Sequence, residues 1–113
     1  MSGEFNLKTE LRDRTLLLKT EGYINNVAGE KIALEFTKQF NGEMNKVVID
    51  MEKSKVINSI GISYLLEVIE KLNESNGKLI FTNLDPTIEK TFSIMGLFQF
   101  AEKAESLESA LKR

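Results

Sequence analysis

The 113-residue chain has no cysteine, no histidine and no tryptophan, and these absences narrow its chemistry before any motif is read. Without cysteine there are no disulfides, no thiolate nucleophile and no Cys-ligated zinc, and the missing disulfide framework fits a reducing compartment. Without histidine there is no Ser-His-Asp chemistry, no ordinary general base near neutral pH and none of the commonest metal ligand. Only carboxylate or lysine schemes would remain to an enzyme, so the expectation is a non-enzymatic protein with no cofactor and no metal. Strong charge bias is also missing. The formal net charge is −2, the pI is near 5.3, and Lys and Arg are scattered, which argues against binding a phosphate backbone. No apolar run approaches the ~18 residues that cross a bilayer. The first residues, Met-Ser-Gly-Glu-Phe-Asn, lack a basic region followed by an apolar one. The reading is a cytoplasmic protein that binds neither nucleic acid nor a membrane.

What is present is enough for one domain spanning residues 1–113. Phe5 to Glu10 and Thr15 to Thr20 read as a hairpin, with Phe5, Leu7 and Thr9 alternating against polar neighbours and Leu11-Arg12-Asp13-Arg14 as the turn. Gly22 ends the second strand, and Asn25 or Asn26 offers an N-cap for a helix from about Val27 to Phe40 that Asn41-Gly42 stops. Lys46 to Met51 carries Val-Val-Ile, as expected of a central strand covered on both faces. Leu65, Val68, Ile69 and Leu72 then recur at helical spacing, predicting an amphipathic helix over Ser59–Ser75 that ends at Asn76-Gly77. Lys78–Thr82 is a further strand. Asp85-Pro86 starts a helix running to about Met95, with Gly96 after it. A short strand over Leu97–Ala101 and a short helix over Ser106–Leu111 complete the chain. The order β-β-α-β-α-β-α-β-α demands crossovers, so the fold class is α/β, a mixed and mostly parallel sheet with helices packed against it.

The residues with functional promise cluster in Asn58-Ser59-Ile60-Gly61. A serine at a helix start can cap it, which the spacing favours, or accept a phosphate whose charge the helix terminus partly neutralises. Gly61 in a first turn is unfavourable by up to ~1 kcal/mol relative to alanine, pointing to close packing or to the approach of another chain. Ile60 and Tyr64 share a stripe at the edge of the core, where packing under the loop or against another helix competes with docking. Ser63 lies one turn below Ser59. Tyr23, Ile24, Asn25 and Asn26 end the second strand and are positioned to approach the Ser59 loop. Asp50, Glu52 and Asp85 match no metal-ligand loop and read as solvated charges, as do Lys53 and Lys55. Ser59 with Lys55 as a nucleophilic pair has no supporting signature.

Val47-Val48-Ile49-Asp50, Asn58-Ser59-Ile60-Gly61, Gly77-Lys78-Leu79 and Met95-Gly96-Leu97-Phe98 together resemble a STAS domain. More narrowly, the chain resembles a bacterial anti-sigma factor antagonist, from Gly22-Tyr23-Ile24-Asn25 through the Ser-Leu-x-x-Ala-Leu segment at Ser106. The resemblance implies a domain that binds an anti-sigma factor which is also a serine kinase, releasing the sigma factor until phosphorylation abolishes binding. It maps the acceptor onto Ser59, with Asn25, Asn58, Ile60, Gly61, Ser63 and Tyr64 as the surrounding partner-binding positions. A phosphatase and self-association are further expectations. The family's Asp-Ser-Ser-Gly is here Asn58-Ser59-Ile60-Gly61, and its acidic residue after the second strand is Asn25; both departures delete an acidic or hydroxyl group near the acceptor. A scaffold or ligand-sensing domain of the same fold, never phosphorylated, is the alternative.

Overall fold

In the computed structural model, which describes residues 4–41 and 43–113, strands β1 (Asn6–Arg12) and β2 (Thr15–Glu21) pair antiparallel across a two-residue loop. The turn is therefore shorter than expected: Leu11 and Arg12 are strand residues opposite Leu16 and Thr15. Asp13 takes a left-handed φ of 53°, which Asp tolerates better than most residues, and this lets Asp13-Arg14 alone reverse the chain. Helix α1 (Asn26–Gln39) follows, then β3 (Lys46–Lys53), α2 (Ser59–Glu74), β4 (Lys78–Thr82) and α3 (Pro86–Ile94). Beyond α3 come a 3-10 turn over Leu97–Gln99, β5 (Glu102–Ala104) and α4 (Leu107–Lys112). Gly42, half of the stop expected after α1, lies outside the described residues; the helix closes at Phe40, whose N–H donates to the Phe36 carbonyl.

The sheet order is β1-β2-β3-β4-β5, with β2 to β5 parallel and β1 the antiparallel edge. β3 is the middle strand, buried from Lys46 to Met51 as its unbroken apolar run anticipates. Alternation divides its neighbours between two faces. Leu16, Leu18, Val47, Ile49, Leu79 and Phe81 face the main core with α1, α2 and α3, whereas Leu17, Val48, Ile80 and Ala104 meet Ala110, Leu107 and Leu111 of α4. Phe81, Phe92 and Phe98 form an edge-contacting aromatic group with centroids 5.0–6.5 Å apart.

The strand expected over Leu97–Ala101 is not formed. Gly96 takes φ 81° and turns the chain, after which Phe100 N–H and Ala101 N–H both donate to the Leu97 carbonyl. Burial of Leu97 and Ala101, four apart, follows the helical period rather than the alternation of a strand. The final strand lies later, at Glu102–Ala104, where it pairs with Ile80–Thr82.

Lys46 and Asp50 are buried charges in β3. Lys46 Nζ donates to the carbonyls of Ala110 (3.4 Å), Leu111 (3.0 Å) and Arg113 (3.3 Å), seating the end of α4 on the sheet. Burial lowers its pKa from the ordinary lysine value, and the nearby Lys78 charge lowers it further. Asp50 was expected to be solvated; instead its carboxylate accepts from Asn83 Nδ2 (3.0 Å) and the Glu52 N–H (3.1 Å), tying β3 to the loop before α3. Among the described residues no helix is long and apolar enough to cross a membrane.

Candidate functional site

The parallel strands point their C-terminal ends at the rim where α1 and α2 begin, and two asparagines build that rim. Asn25 caps α1, its Oδ1 accepting from the Ala28 N–H at 3.0 Å. Asn58 caps α2, accepting from the Gly61 N–H at 2.7 Å. Each satisfies one of the donors that a helix start leaves unpaired. The expectation that Ser59 caps α2 is thereby corrected. An amide one residue earlier, in extended backbone at φ −103°, already reaches the donor, so Ser59 becomes the first helical residue and is exposed.

Ile24 joins the two starts. It bridges to Ile57 in parallel fashion, its N–H donates to the Val56 carbonyl (3.0 Å), and its carbonyl accepts from the Asn58 N–H (3.1 Å). The approach of the segment after β2 to the Ser59 loop is therefore a two-rung backbone clamp. Below it, the Thr20 and Ser54 hydroxyls meet at 2.7 Å in the interior, and the Gly22 N–H donates to the Lys53 carbonyl at 3.0 Å. Sequence reading missed Ser54 because a serine between two lysines in a charged loop carries no signal of burial.

The glycines explain the close approach. A Cβ at Gly61 would lie 2.4 Å from the Ile24 carbonyl oxygen, and one at Gly29 would lie 2.7 Å from Tyr64 Cδ2 and 3.2 Å from Gly61 Cα. The packing reading of Gly61 holds: it is buried and offers no contact surface of its own. Tyr64 is half-buried against α1, while Ile60 remains half exposed. Ser63 is exposed and donates its hydroxyl to the Ile60 carbonyl at 2.7 Å. Tyr23, Val27 and Val56, exposed by 42–55%, add apolar surface to Ile60 at this end of the molecule.

The first turns of α1 and α2 contain no acidic residue, so two positive helix ends meet near Ser59 without an internal counter-charge. Among the described residues no group of three or more Asp or Glu side chains is arranged to hold a metal ion. A 720 Å³ hollow at the ends of β3 to β5, lined by Glu52, Lys55, Asn83, Asp85 and Lys103 among others, does not include Ser59. The chemistry available at the rim is that of an exposed hydroxyl beside unneutralised N–H dipoles and an apolar surround.

These features define a class first: an α/β domain with an antiparallel edge hairpin and a rim of paired helix starts. The chain belongs to the STAS domain family, whose family model matches residues 6–110. It is 28% identical over 98 residues, 87% of this chain and 84% of the relative, to BtrV of Bordetella bronchiseptica, which carries the name anti-sigma factor antagonist. Its fold is similar to that of an anti-sigma factor antagonist from Mycobacterium paratuberculosis, with TM-score 0.83, 19% identity and coverage of 99% and 95% of the two chains. It is also similar to the Bacillus cell fate determinant SpoIIAA in its phosphorylated form, with TM-score 0.77, 24% identity and coverage of 96% and 98%.

Proposed function

We propose that this STAS domain is a cytoplasmic anti-sigma factor antagonist, a non-enzymatic module that binds an anti-sigma factor/serine kinase and is switched off by phosphorylation at Ser59. The carrying observation is that Asn58 takes the capping role and leaves Ser59 exposed at the start of α2, with no acidic residue in the first turn of either adjoining helix. The name of the Bordetella relative supports the same reading.

Before modification, Ile60 and the neighbouring Tyr23, Val27 and Val56 give a partner an apolar surface to cover, with Asn25, Asn58 and Ser63 supplying polar contacts around it. Gly61 and Tyr64 shape that surface by setting how closely α2 approaches α1 and Ile24. A phosphate on Ser59 adds about −1.5 to −2 charges, which costs desolvation under an apolar partner and repulsion beside its carboxylates. Within the domain, the helix start accommodates that charge without refolding, so the switch is one of surface charge. A phosphatase would reset it.

The test is the intact mass of wild type and Ser59→Ala after incubation with Mg-ATP and cytosolic extract of the source organism. A gain of one phosphate by wild type alone, with loss of the captured anti-sigma factor by the phosphorylated form, is the expected result. No gain in an extract that phosphorylates other proteins would overturn the switch. The scaffold or ligand-sensing reading, which Asn25 in place of an acidic residue and Ile60 in place of a hydroxyl favour, would then stand.

A further inference from the structure

Strand β1 closes the sheet on one side, and nothing among the described residues pairs with its outer edge. It is seven residues long, has no proline or bulge, and pairs with β2 in an unbroken register from Asn6↔Glu21 to Arg12↔Thr15. Proteins usually blunt such an edge with proline, bulges or charged side chains, or fill it. Here only charges are present, and Lys8, Glu10 and Arg12 alternate in sign, so they repel a second copy in some registers and attract it in others. Because the loop has two residues, Arg12 and Thr15 are the closing hydrogen-bonded pair, and the backbone groups of Asn6, Lys8, Glu10 and Arg12 turn towards β2. The N–H and C=O groups of Leu7, Thr9 and Leu11 therefore point outward.

We infer that this edge is a self-association surface whose partner is β1 of a second copy of the chain, running antiparallel with Thr9 opposite Thr9. Antiparallel pairing about Thr9 places the outward-facing residues opposite one another, Leu7 against the second copy's Leu11 and Thr9 against itself, as ladder hydrogen bonds require. The same register sets Lys8 opposite Glu10 twice over, in the positions where facing side chains come closest. Shifting the centre to Lys8 opposes two lysines, and shifting it to Glu10 opposes two glutamates. A parallel, in-register pairing sets Lys8 beside Lys8. Centring on Leu11 also opposes Glu10 to Arg12, but it carries Thr9 to the Asp13 turn and leaves it unpaired. Charge together with full pairing of the outward groups thus selects one arrangement.

The apolar side chains fit the same arrangement. Leu11 is 48% exposed and Leu34 of α1 is 61% exposed. A groove of 410 Å³ runs between β1 and α1, lined by Leu7, Thr9, Leu34 and Lys31 among others. Leu11 of the second copy, opposite Leu7 and on the face that α1 covers, lies beside this groove. Lys8 has no ion-pair partner among the described residues and gains one in the dimer. The resulting sheet is continuous through both copies, and Ser59 lies on neither edge, so the inference stands apart from the phosphorylation reading.

Sedimentation equilibrium over a concentration series to about 1 mM tests it, a range suited to a small, weak interface. The wild-type average mass is expected to rise from the 12.8 kDa of one chain towards twice that value. Lys8→Glu and Glu10→Lys are each expected to weaken association by roughly tenfold or more, since each turns two cross-strand attractions into repulsions. An equimolar mixture of the two variants restores opposite charges at both positions and is expected to associate again. Thr9→Pro deletes an outward N–H while sparing the ladder to β2, and is expected to leave a folded monomer by circular dichroism. A wild type that stays monomeric throughout, single variants that associate as tightly as wild type, or a mixture that fails to recover would each overturn the inference.

Discussion

Asn58 and Ser59 are neighbours with side chains of the same capping chemistry, and backbone position decides between them. Asn58 sits in extended backbone with its oxygen on the Gly61 N–H, whereas Ser59 is already helical. Asn58→Ala is therefore expected to cost about 1 kcal/mol in urea unfolding, and Ser59→Ala to stay within about 0.5 kcal/mol. Equal losses for the two would contradict this division. The glycines separate in the same way. Gly61→Ala drives a methyl against a backbone carbonyl and is expected to destabilise by about 1–3 kcal/mol despite alanine's better helix propensity. At Gly29 the nearest obstacle is the edge of the Tyr64 ring, which can turn aside, but Tyr64 Cβ at 3.1 Å and Gly61 Cα at 3.2 Å stay in place. The same urea titration is therefore expected to show a loss there too, smaller than at Gly61, where a carbonyl oxygen lies at 2.4 Å. The sequence showed a serine at a helix start and a glycine marked for close packing or for the approach of another chain. It did not show which of Asn58 and Ser59 caps, because both residue types favour that position and the choice rests on one residue's φ and ψ.

Among the strands and α-helices, all but β5 were legible in the sequence to within about two residues, the short α4 included. α1, α2, β3 and β4 carry enough apolar repeats to be placed within a residue or two, whereas β5 is Glu-Lys-Ala with no β-branched residue and owes its strand conformation to pairing with β4. α4 is also short and held from outside. Lys46 accepts the desolvation of its ammonium to bond three carbonyls at the end of that helix. Lys46→Met is expected to keep the sheet while speeding amide exchange in α4, read by hydrogen–deuterium exchange. Its pH dependence has a definite sign. The folded pKa lies below the ordinary value of 10.5, so between the two the unfolded chain holds more protons and this group's contribution to stability rises with pH. Urea midpoints compared across that window are expected to climb less in Lys46→Met than in wild type.

For the whole molecule, the order of elements implied the topology, because short crossovers between successive parallel strands leave few other arrangements. What the sequence left open was how the two faces are shared. The main core takes three helices and the aromatic group, and the other face is covered by α4 alone. Phe81 lies at the centre of that larger core, fully buried and in contact with Phe92 and Phe98. Phe81→Ala is expected to remove about 3–5 kcal/mol, a large share of the roughly 5–15 kcal/mol that holds a domain of this size, and to lower the thermal midpoint by calorimetry.

Both helix starts at the rim are capped by amides, and an amide neither gains nor loses a proton as the medium acidifies. The chain has no histidine to answer in their place between roughly pH 5 and 8. Until a phosphate is added, this surface is therefore deaf to acidity in that range. A fall in pH leaves the unmodified electrostatic face unchanged, and any message delivered there must arrive as a covalent bond or as another molecule.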